Sequence, residues 1–210
     1  MSKSFFPSIY LVRHGETDWN VERRLQGQTD IALNTTGISQ AMRLAEELRH
    51  IPFAQAFSSD LSRAFQTASL LVDSRNIPVM KAVELRERNA GSLEGLPIHE
   101  VNAKMRTFFL SEQASHKESY MKSAWHPEME TSQSVLDRVT RFLNAHIPST
   151  MDKPILVVSH GFVLRSFLDD FSFMPGCRWV IENCGFLKIT IEGNTTHLID
   201  SFGVTQQPIL

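Results

Sequence analysis

Two short segments of this 210-residue chain end alike, Val12-Arg13-His14-Gly15 and Val158-Ser159-His160-Gly161. Each closes an apolar run, Ile9 to Val12 and Ile155 to Val158. Such a run reads as a buried strand, and in open α/β sheets ligands sit beyond the strand C-termini. An uncharged imidazole is a competent nucleophile at neutral pH. Arg13 beside His14, and Arg63 just after a further short apolar run, offer forked, charge-assisted donors to phosphate oxygens. Together they suit phosphoryl transfer. His14 would attack phosphorus to give a phosphohistidine, while His160 and the arginines stabilise charge on the equatorial oxygens. Glu87, in the charged loop Glu84 to Gly91, could protonate the leaving oxygen and then activate water. Singly, these residues also read as a turn, a satisfied edge histidine, a first-turn surface arginine and solvated loop charges. Their joint placement at several strand ends is what those separate readings do not predict.

The elements that must position them follow from the pattern. Gly15 lets the backbone turn sharply or approach a ligand closely. Glu16 to Leu33 lacks periodicity and reads as a loop over the strand end. Asn34 caps a helix with Ile38, Ala41, Met42, Ala45 and Leu48 on one face, stopped by Pro52. Ala54 to Phe57 predicts a strand, and Ser58-Ser59-Asp60 supplies N-cap candidates for a helix to about Val72, with Arg63 in its first turn. Pro78 to Val83 predicts a third strand. From Leu96 to about Met121 the pattern is helical, with Ile98, Val101, Met105, Phe108 and Phe109 on one face. With the irregular stretch after it, this reads as an insertion, about residues 96–134, lying over the site. The helical spacing assigns Phe108 and Phe109, with Trp125, to the insertion's own small core rather than to an apolar wall over the site. A further amphipathic helix carries Val135, Val139, Phe142 and Leu143, and Phe162 to Phe171 forms the helix after His160. Gly185 to Ile191 and Thr196 to Ser201, around Glu192-Gly193-Asn194, predict a hairpin that adds an antiparallel edge. The expected architecture is a three-layer α/β/α sandwich with a mostly parallel sheet.

Composition narrows the classes. With 42% hydrophobic residues the chain can bury a sizeable core. Its net charge of -2 gives no global reason to bind nucleic acid or an anionic membrane, so any preference for anions is local. No segment approaches the roughly 18 apolar residues of a membrane helix, and Met1 to Pro7 lacks a signal-peptide core. A cytoplasmic location is expected, one that suits the two cysteines, Cys177 and Cys184, as free thiols. The eight histidines show no His-Glu-x-x-His or His-x-His spacing, and a pocket with two arginines would repel a divalent cation. Neither a metal nor a cofactor is expected.

These residues resemble a known family, the histidine phosphatase superfamily in its phosphoglycerate mutase-like branch. Arg13-His14-Gly15-Glu16-Thr17 matches its signature. The likeness continues at Asn20, Leu25-Gln26-Gly27, Leu33-Asn34 with Gly37, Gln40 and Ala41, and Ser58-Ser59-Asp60-Leu61 with Arg63-Ala64 and Gln66-Thr67-Ala68. It returns at Leu85, Glu87, Gly91, Glu94-Gly95 and Ser159-His160-Gly161. The resemblance implies a phosphoglycerate mutase-like fold over residues 1–210 as a single domain. It also implies that His14 is the phosphorylated nucleophile, that Arg13, Arg63 and His160 form the phosphate pocket, and that Glu87 rather than Glu84 is the proton donor. Asn20 and Thr17, with Gln26 and Gly27, would contact the substrate. The chain departs from the family pattern at Ala90, Leu93 and Met129-Glu130-Thr131, positions expected to touch packing and the substrate rim. Mutases of the family look longer over the insertion, with an Arg-Arg-Ser segment and a proline run that this chain lacks. Its basic residues there, Lys104, Arg106, Lys117 and Lys122, are scattered. Hydrolysis of a small phosphorylated metabolite is therefore the expectation, with cofactor-dependent phosphoglycerate isomerisation as the alternative. An inactive relative used as a binding module would be expected to have lost His14, an arginine, His160 or Glu87, and all are present.

Overall fold

A computed structural model describes residues 6–148, 150–192 and 195–208. Its six strands are β1 (Ile9–Arg13), β2 (Gln55–Ser59), β3 (Val79–Ala82), β4 (Ile155–Ser159), β5 (Cys177–Glu192) and β6 (Thr195–Pro208). They form one sheet in the order β3-β2-β4-β1-β5-β6. β3, β2, β4 and β1 run parallel, β5 is antiparallel to β1, and β6 is antiparallel to β5. The expected mixed sheet is the observed one.

The central strands β1 and β4 are apolar up to their last residues, Arg13 and Ser159, because both faces are covered. Alternate residues point to opposite layers. Leu11 and Val157 join the core shared with α4 (Ile98–Phe109), α5 (Lys117–Lys122), α6 (Ser132–His146) and α7 (Gly161–Phe171). Val12 and Val158 join Ala41, Leu44, Ala64 and Ala68 of α2 (Thr35–Glu47) and α3 (Ser62–Val72). Ala90 and Leu93 are buried in the first of these cores.

Four local expectations change. Within the predicted loop after β1, a short helix α1 (Asp18–Val21) forms, because Thr17 and Asn20 make a reciprocal capping box. The start of α3 is capped from a distance: Asp30 accepts hydrogen bonds from the Ser62 amide at 2.7 Å and the Ser62 hydroxyl at 2.8 Å. Asp60, one of the predicted caps, instead holds Arg86 through two hydrogen bonds of 2.8 and 2.6 Å. The continuous helical pattern from Leu96 to Met121 is broken after Phe109, where the Ser111 hydroxyl donates to the Phe108 carbonyl at 2.6 Å. The chain folds back through α5, and an aromatic cluster is what it folds around. Phe108 stacks on Trp125 with ring centroids 6.1 Å apart, and Tyr120 meets Trp125 at 5.1 Å. Phe108 and Phe109 thus belong to the insertion's core.

The fourth difference is at the antiparallel edge. β5 starts at Cys177, well before the predicted Gly185, because the ladder to β6 shifts register between Ile181 and Phe186. Cys184 there adopts φ +61°, and such a bulge breaks the period-2 alternation that would announce a strand. Gly193 and Asn194 of the predicted hairpin turn lie outside the described residues; the flanking Glu192 and Thr195 pair.

Candidate active site

β1 and β4 are parallel neighbours in a register that places Arg13 opposite Ser159. The next residue on each strand is a histidine, and the His14 amide donates to the Ser159 carbonyl at 3.0 Å. The two imidazoles are 5.2 Å apart between ring centroids, inclined at 64°. The turn that carries His14 is clamped from the neighbouring helices. The Gly15 amide donates to the Thr67 hydroxyl at 3.0 Å, and the Glu16 amide to Gln40 Oε1 at 2.9 Å. Gly15 is a glycine for the sake of this packing, not for a left-handed turn or a ligand. A Cβ there would lie 2.5 Å from the Gly37 carbonyl oxygen, and one on Gly37 would lie 2.1 Å from the Glu16 carbonyl oxygen. From the other side, Asn183 Nδ2 donates to the His14 carbonyl at 3.1 Å.

His14 Nδ1 lies 2.7 Å from the Gly15 carbonyl oxygen. A carbonyl only accepts, so Nδ1 carries the hydrogen and Nε2 carries the lone pair. Arg63 Nε donates toward that Nε2 at 3.2 Å. Burial first, then the charges of Arg63 and Arg13, hold the His14 pKa well below the ordinary imidazole range. His160, completely buried, is depressed in the same way by burial, then Arg63 and the neighbouring His14. Neither of its ring nitrogens has a partner among the described residues.

Arg63 is fully buried, and its remaining donors fix the loop before α2, with Nη1 to the Thr29 carbonyl at 2.8 Å and Nη2 to the Gly27 carbonyl at 2.7 Å. Glu94 holds that loop in turn, accepting from the Gln28 and Thr29 amides at 3.0 Å each. Gly27, at φ +52°, leaves room for the Glu94 carboxylate, which a Cβ would meet at 2.2 Å. Arg13 donates from Nη1 to the Ile181 carbonyl and keeps a buried Nε that has no partner among the described residues. Glu87 accepts the Arg88 amide at 2.8 Å and the Phe162 amide, at the start of α7, at 3.1 Å. The Glu87 loop is pinned by the Ser159 hydroxyl on the Leu85 carbonyl at 2.8 Å and by Arg138, which donates to the Glu84 and Glu87 carbonyls at 2.5 and 3.1 Å.

Arg13, His14, Asn20, Gln26, Gly27, Arg63 and Glu87 line one cavity of about 250 Å³, at the small end of ligand pockets. His160, fully buried, does not line it, and neither does Thr17. Its hydroxyl, completely buried, caps α1 beside the Asn20 carboxamide oxygen at 3.1 Å. Glu84 is exposed and away from it. Ala90 and Leu93 contribute to the core rather than to the rim. α4 of the insertion supplies one wall through Ile98, Val101, Asn102 and Met105. Trp125, Arg88, Arg165 and Arg178 also line the cavity; sequence reasoning passed over the three arginines and gave Trp125 to the insertion's core, yet Trp125 both packs on Phe108 and Phe109 and walls the site. Arg88 adjoins Glu87, and Arg165 lies one turn along α7 from Gly161, so both had a local signal. Arg178 had none.

The family model for the histidine phosphatase superfamily (branch 1) matches residues 9–201. An uncharacterised phosphatase, PhoE, of Bacillus subtilis (strain 168) is 32% identical over 165 residues, covering 79% of this chain and 77% of that protein. A probable phosphoglycerate mutase, GpmB, of Proteus mirabilis (strain HI4320) is 30% identical over 196 residues, covering 89% and 86%. The crystal structure of a phosphoglycerate mutase from Bacillus anthracis str. Sterne shares the fold with a TM-score of 0.78 at 23% identity, covering 96% of each chain.

Proposed function

The chain belongs to the histidine phosphatase superfamily, and we propose that within it the protein is a phosphomonoester hydrolase acting on a small phosphorylated metabolite through a phosphohistidine on His14. The observation that carries this reading is the His14 tautomer. Its Nδ1 hydrogen is committed to the Gly15 carbonyl, so the lone pair is on Nε2, where Arg63 Nε–H meets it at 3.2 Å until a phosphoryl oxygen takes that donor, and His14 lines the cavity. In the first step that lone pair forms the N–P bond as the ester P–O bond breaks. Glu87, entering as the acid, gives its proton to the departing oxygen. In the second step water adds to phosphorus and loses its proton to the Glu87 carboxylate, and the N–P electrons return to Nε2. Arg13, Arg63 and His160 supply donors for the phosphoryl oxygens. Asn20, Gln26 and Gly27 stand on the substrate side, while Thr17 acts through the α1 cap.

Hydrolysis is favoured over isomerisation because a mutase must shelter its phosphoenzyme from water. None of Lys104, Arg106, Lys117 and Lys122 of the insertion lines the cavity; the further cations that do, Arg24, Arg88, Arg165 and Arg178, come from outside it. The cationic lining favours catalysis without a metal, since Arg13 and Arg63 would repel a divalent cation. We read residues 1–210 as one catalytic domain, cytoplasmic in location; no helix among the described residues is long and apolar enough to cross a membrane.

The test is release of phosphate from an aryl phosphate in the presence of a chelator, with acid-labile labelling of the enzyme and isomerisation of 3-phosphoglycerate followed alongside. Wild type should turn over with chelator present, and His14→Ala should lose both turnover and label. Undiminished turnover in His14→Ala would remove the mechanism, and isomerisation faster than hydrolysis would make the protein a mutase.

A further inference from the structure

Between Ile181 and Phe186, β5 runs through four residues, 182–185, where β6 passes with one, Gly203. The excursion is closely packed. A Cβ on Gly185 would lie 2.9 Å from the carbonyl oxygens of both Glu182 and Phe202, and Gly203 turns at φ +65°. Cys184 holds φ +61°, a conformation that is costly for a residue with a Cβ and persists only where its surroundings enforce it. A bulge bends its strand and re-aims the side chains on it. The side chain re-aimed here is that of Asn183.

Asn183 reaches two groups of the site. Its Nδ2 donates to the His14 carbonyl at 3.1 Å and to Asn20 Oδ1 at 3.3 Å. The adjoining Cys184 amide also donates to the His14 carbonyl, at 3.4 Å. Asn183 is itself half-buried and does not line the cavity, so it acts on a bound group only through those partners.

Donor and acceptor roles settle both carboxamide orientations. The His14 carbonyl only accepts, so the atom of Asn183 that faces it is nitrogen. The Thr17 amide only donates, so the atom of Asn20 that faces it at 3.1 Å is oxygen. Asn20 Oδ1 thus takes hydrogen bonds from the Thr17 amide, the Thr17 hydroxyl and Asn183. Turning the carboxamide over would set its NH2 against the N–H groups of Thr17 and Asn183. Its Nδ2, engaged by no group among the described residues, is left as the donor that Asn20 offers the cavity it lines.

We propose that Asn183 is a positioning residue of the phosphate site. It fixes the Asn20 carboxamide with its NH2 available to a bound phosphoryl group, and it ties that group to the carbonyl of His14. This rests on the reading of the cavity as a phosphoryl site with Asn20 on its substrate side. Thr17 orients Asn20 within α1, but a four-residue helix with no buried residue is not stable by itself. The tether from β5 sets where that helix, and Asn20 with it, stands relative to His14.

Calorimetric titration with inorganic phosphate tests this as a double-mutant cycle. Affinity is measured for wild type, Asn20→Ala, Asn183→Leu and the double variant, with urea unfolding of each. Removing the Asn20 donor should weaken phosphate about tenfold, the size of one hydrogen bond to a charged group. Asn183→Leu should weaken it about three- to tenfold when Asn20 is present and less than about twofold once Asn20 is alanine. Should the leucine variant not fold, Asn183→Ala carries the same cycle. A merely structural role would lower phosphate affinity by the same factor in both backgrounds, or lower the urea midpoint and leave phosphate affinity alone. Either result would overturn the positioning role while hydrolysis by wild type stands. A wild type that binds phosphate with the expected coupling yet hydrolyses no phosphomonoester would sink the catalytic reading and support the positioning role. One that binds no phosphate would overturn both.

Discussion

His14 shows how one short hydrogen bond selects a chemistry. With Nδ1–H donated to the Gly15 carbonyl, the nucleophilic nitrogen can only be Nε2, and burial beside two guanidinium groups keeps it unprotonated. The prediction at this scale is spectroscopic. In ¹⁵N-resolved NMR of the free protein, His14 should show the neutral Nδ1–H form at pH 6.5, where an ordinary imidazole is half protonated. Its protonation should begin only at lower pH. A His14 that titrates at 6.5, or that carries its hydrogen on Nε2, would contradict the assigned nucleophile. His160 should likewise stay neutral there.

At the scale of elements, the turn after β1 is set by contact between two backbones. Gly15 and Gly37 let α2 seat directly against the His14 turn, and Gln40 and Thr67 then satisfy its amides. Gly37→Ala separates two opposing effects. Alanine in a helix gains about 0.5–1 kcal/mol over glycine. Its methyl, however, would sit 2.1 Å from the Glu16 carbonyl oxygen, a backbone atom that cannot rotate away. Overpacking of this kind costs about 1–3 kcal/mol or more, so the clash wins. Urea unfolding should report net destabilisation of about 1 kcal/mol or more, and hydrolysis should slow as the His14 turn shifts. A Gly37→Ala protein more stable than wild type would show that α2 can move away freely.

For the whole molecule, stability and site are linked through pH. His14 and His160 are neutral when folded, with pKa values below the roughly 6.5 of the unfolded chain. Below that pH the unfolded state takes up protons first, so stability should be level above 6.5 and fall as pH drops beneath it. Each histidine contributes up to about 1.4 kcal/mol per pH unit until its folded pKa is reached. Asp169, raised by burial, acts in the opposite sense as it takes up its proton. Urea unfolding at pH 7.5 and 5.5 should therefore show a loss of about 2–3 kcal/mol at the lower pH. Equal stability at both would mean that the imidazoles are not held neutral by the fold.

Local pattern was enough for the inner half of the site. The apolar runs before His14 and His160, the Asn34 cap, the helix carrying Arg63 and the loop carrying Glu87 are written in spacing and residue type, because burial of a strand or helix face imposes a period that sequence displays. The mixed parallel and antiparallel sheet was legible for the same reason. Other features depend on which distant segments meet, and no period records that. Asp30 caps α3 across a loop, Gly15 answers to Gly37, and Arg138 and Ser159 pin the Glu87 loop. The bulge near Cys184 hid the first half of β5 and with it Arg178. The register of β1 on β4 brought the two histidines together, and the packing of the insertion on α7 brought Trp125 edge-to-face against Phe162, with the Arg88 guanidinium against both rings. The residues proposed as catalytic were visible because each sits at or next to the end of an element. That Arg88, Trp125 and Arg178 line the same cavity was not, because only close packing between remote elements brings them there.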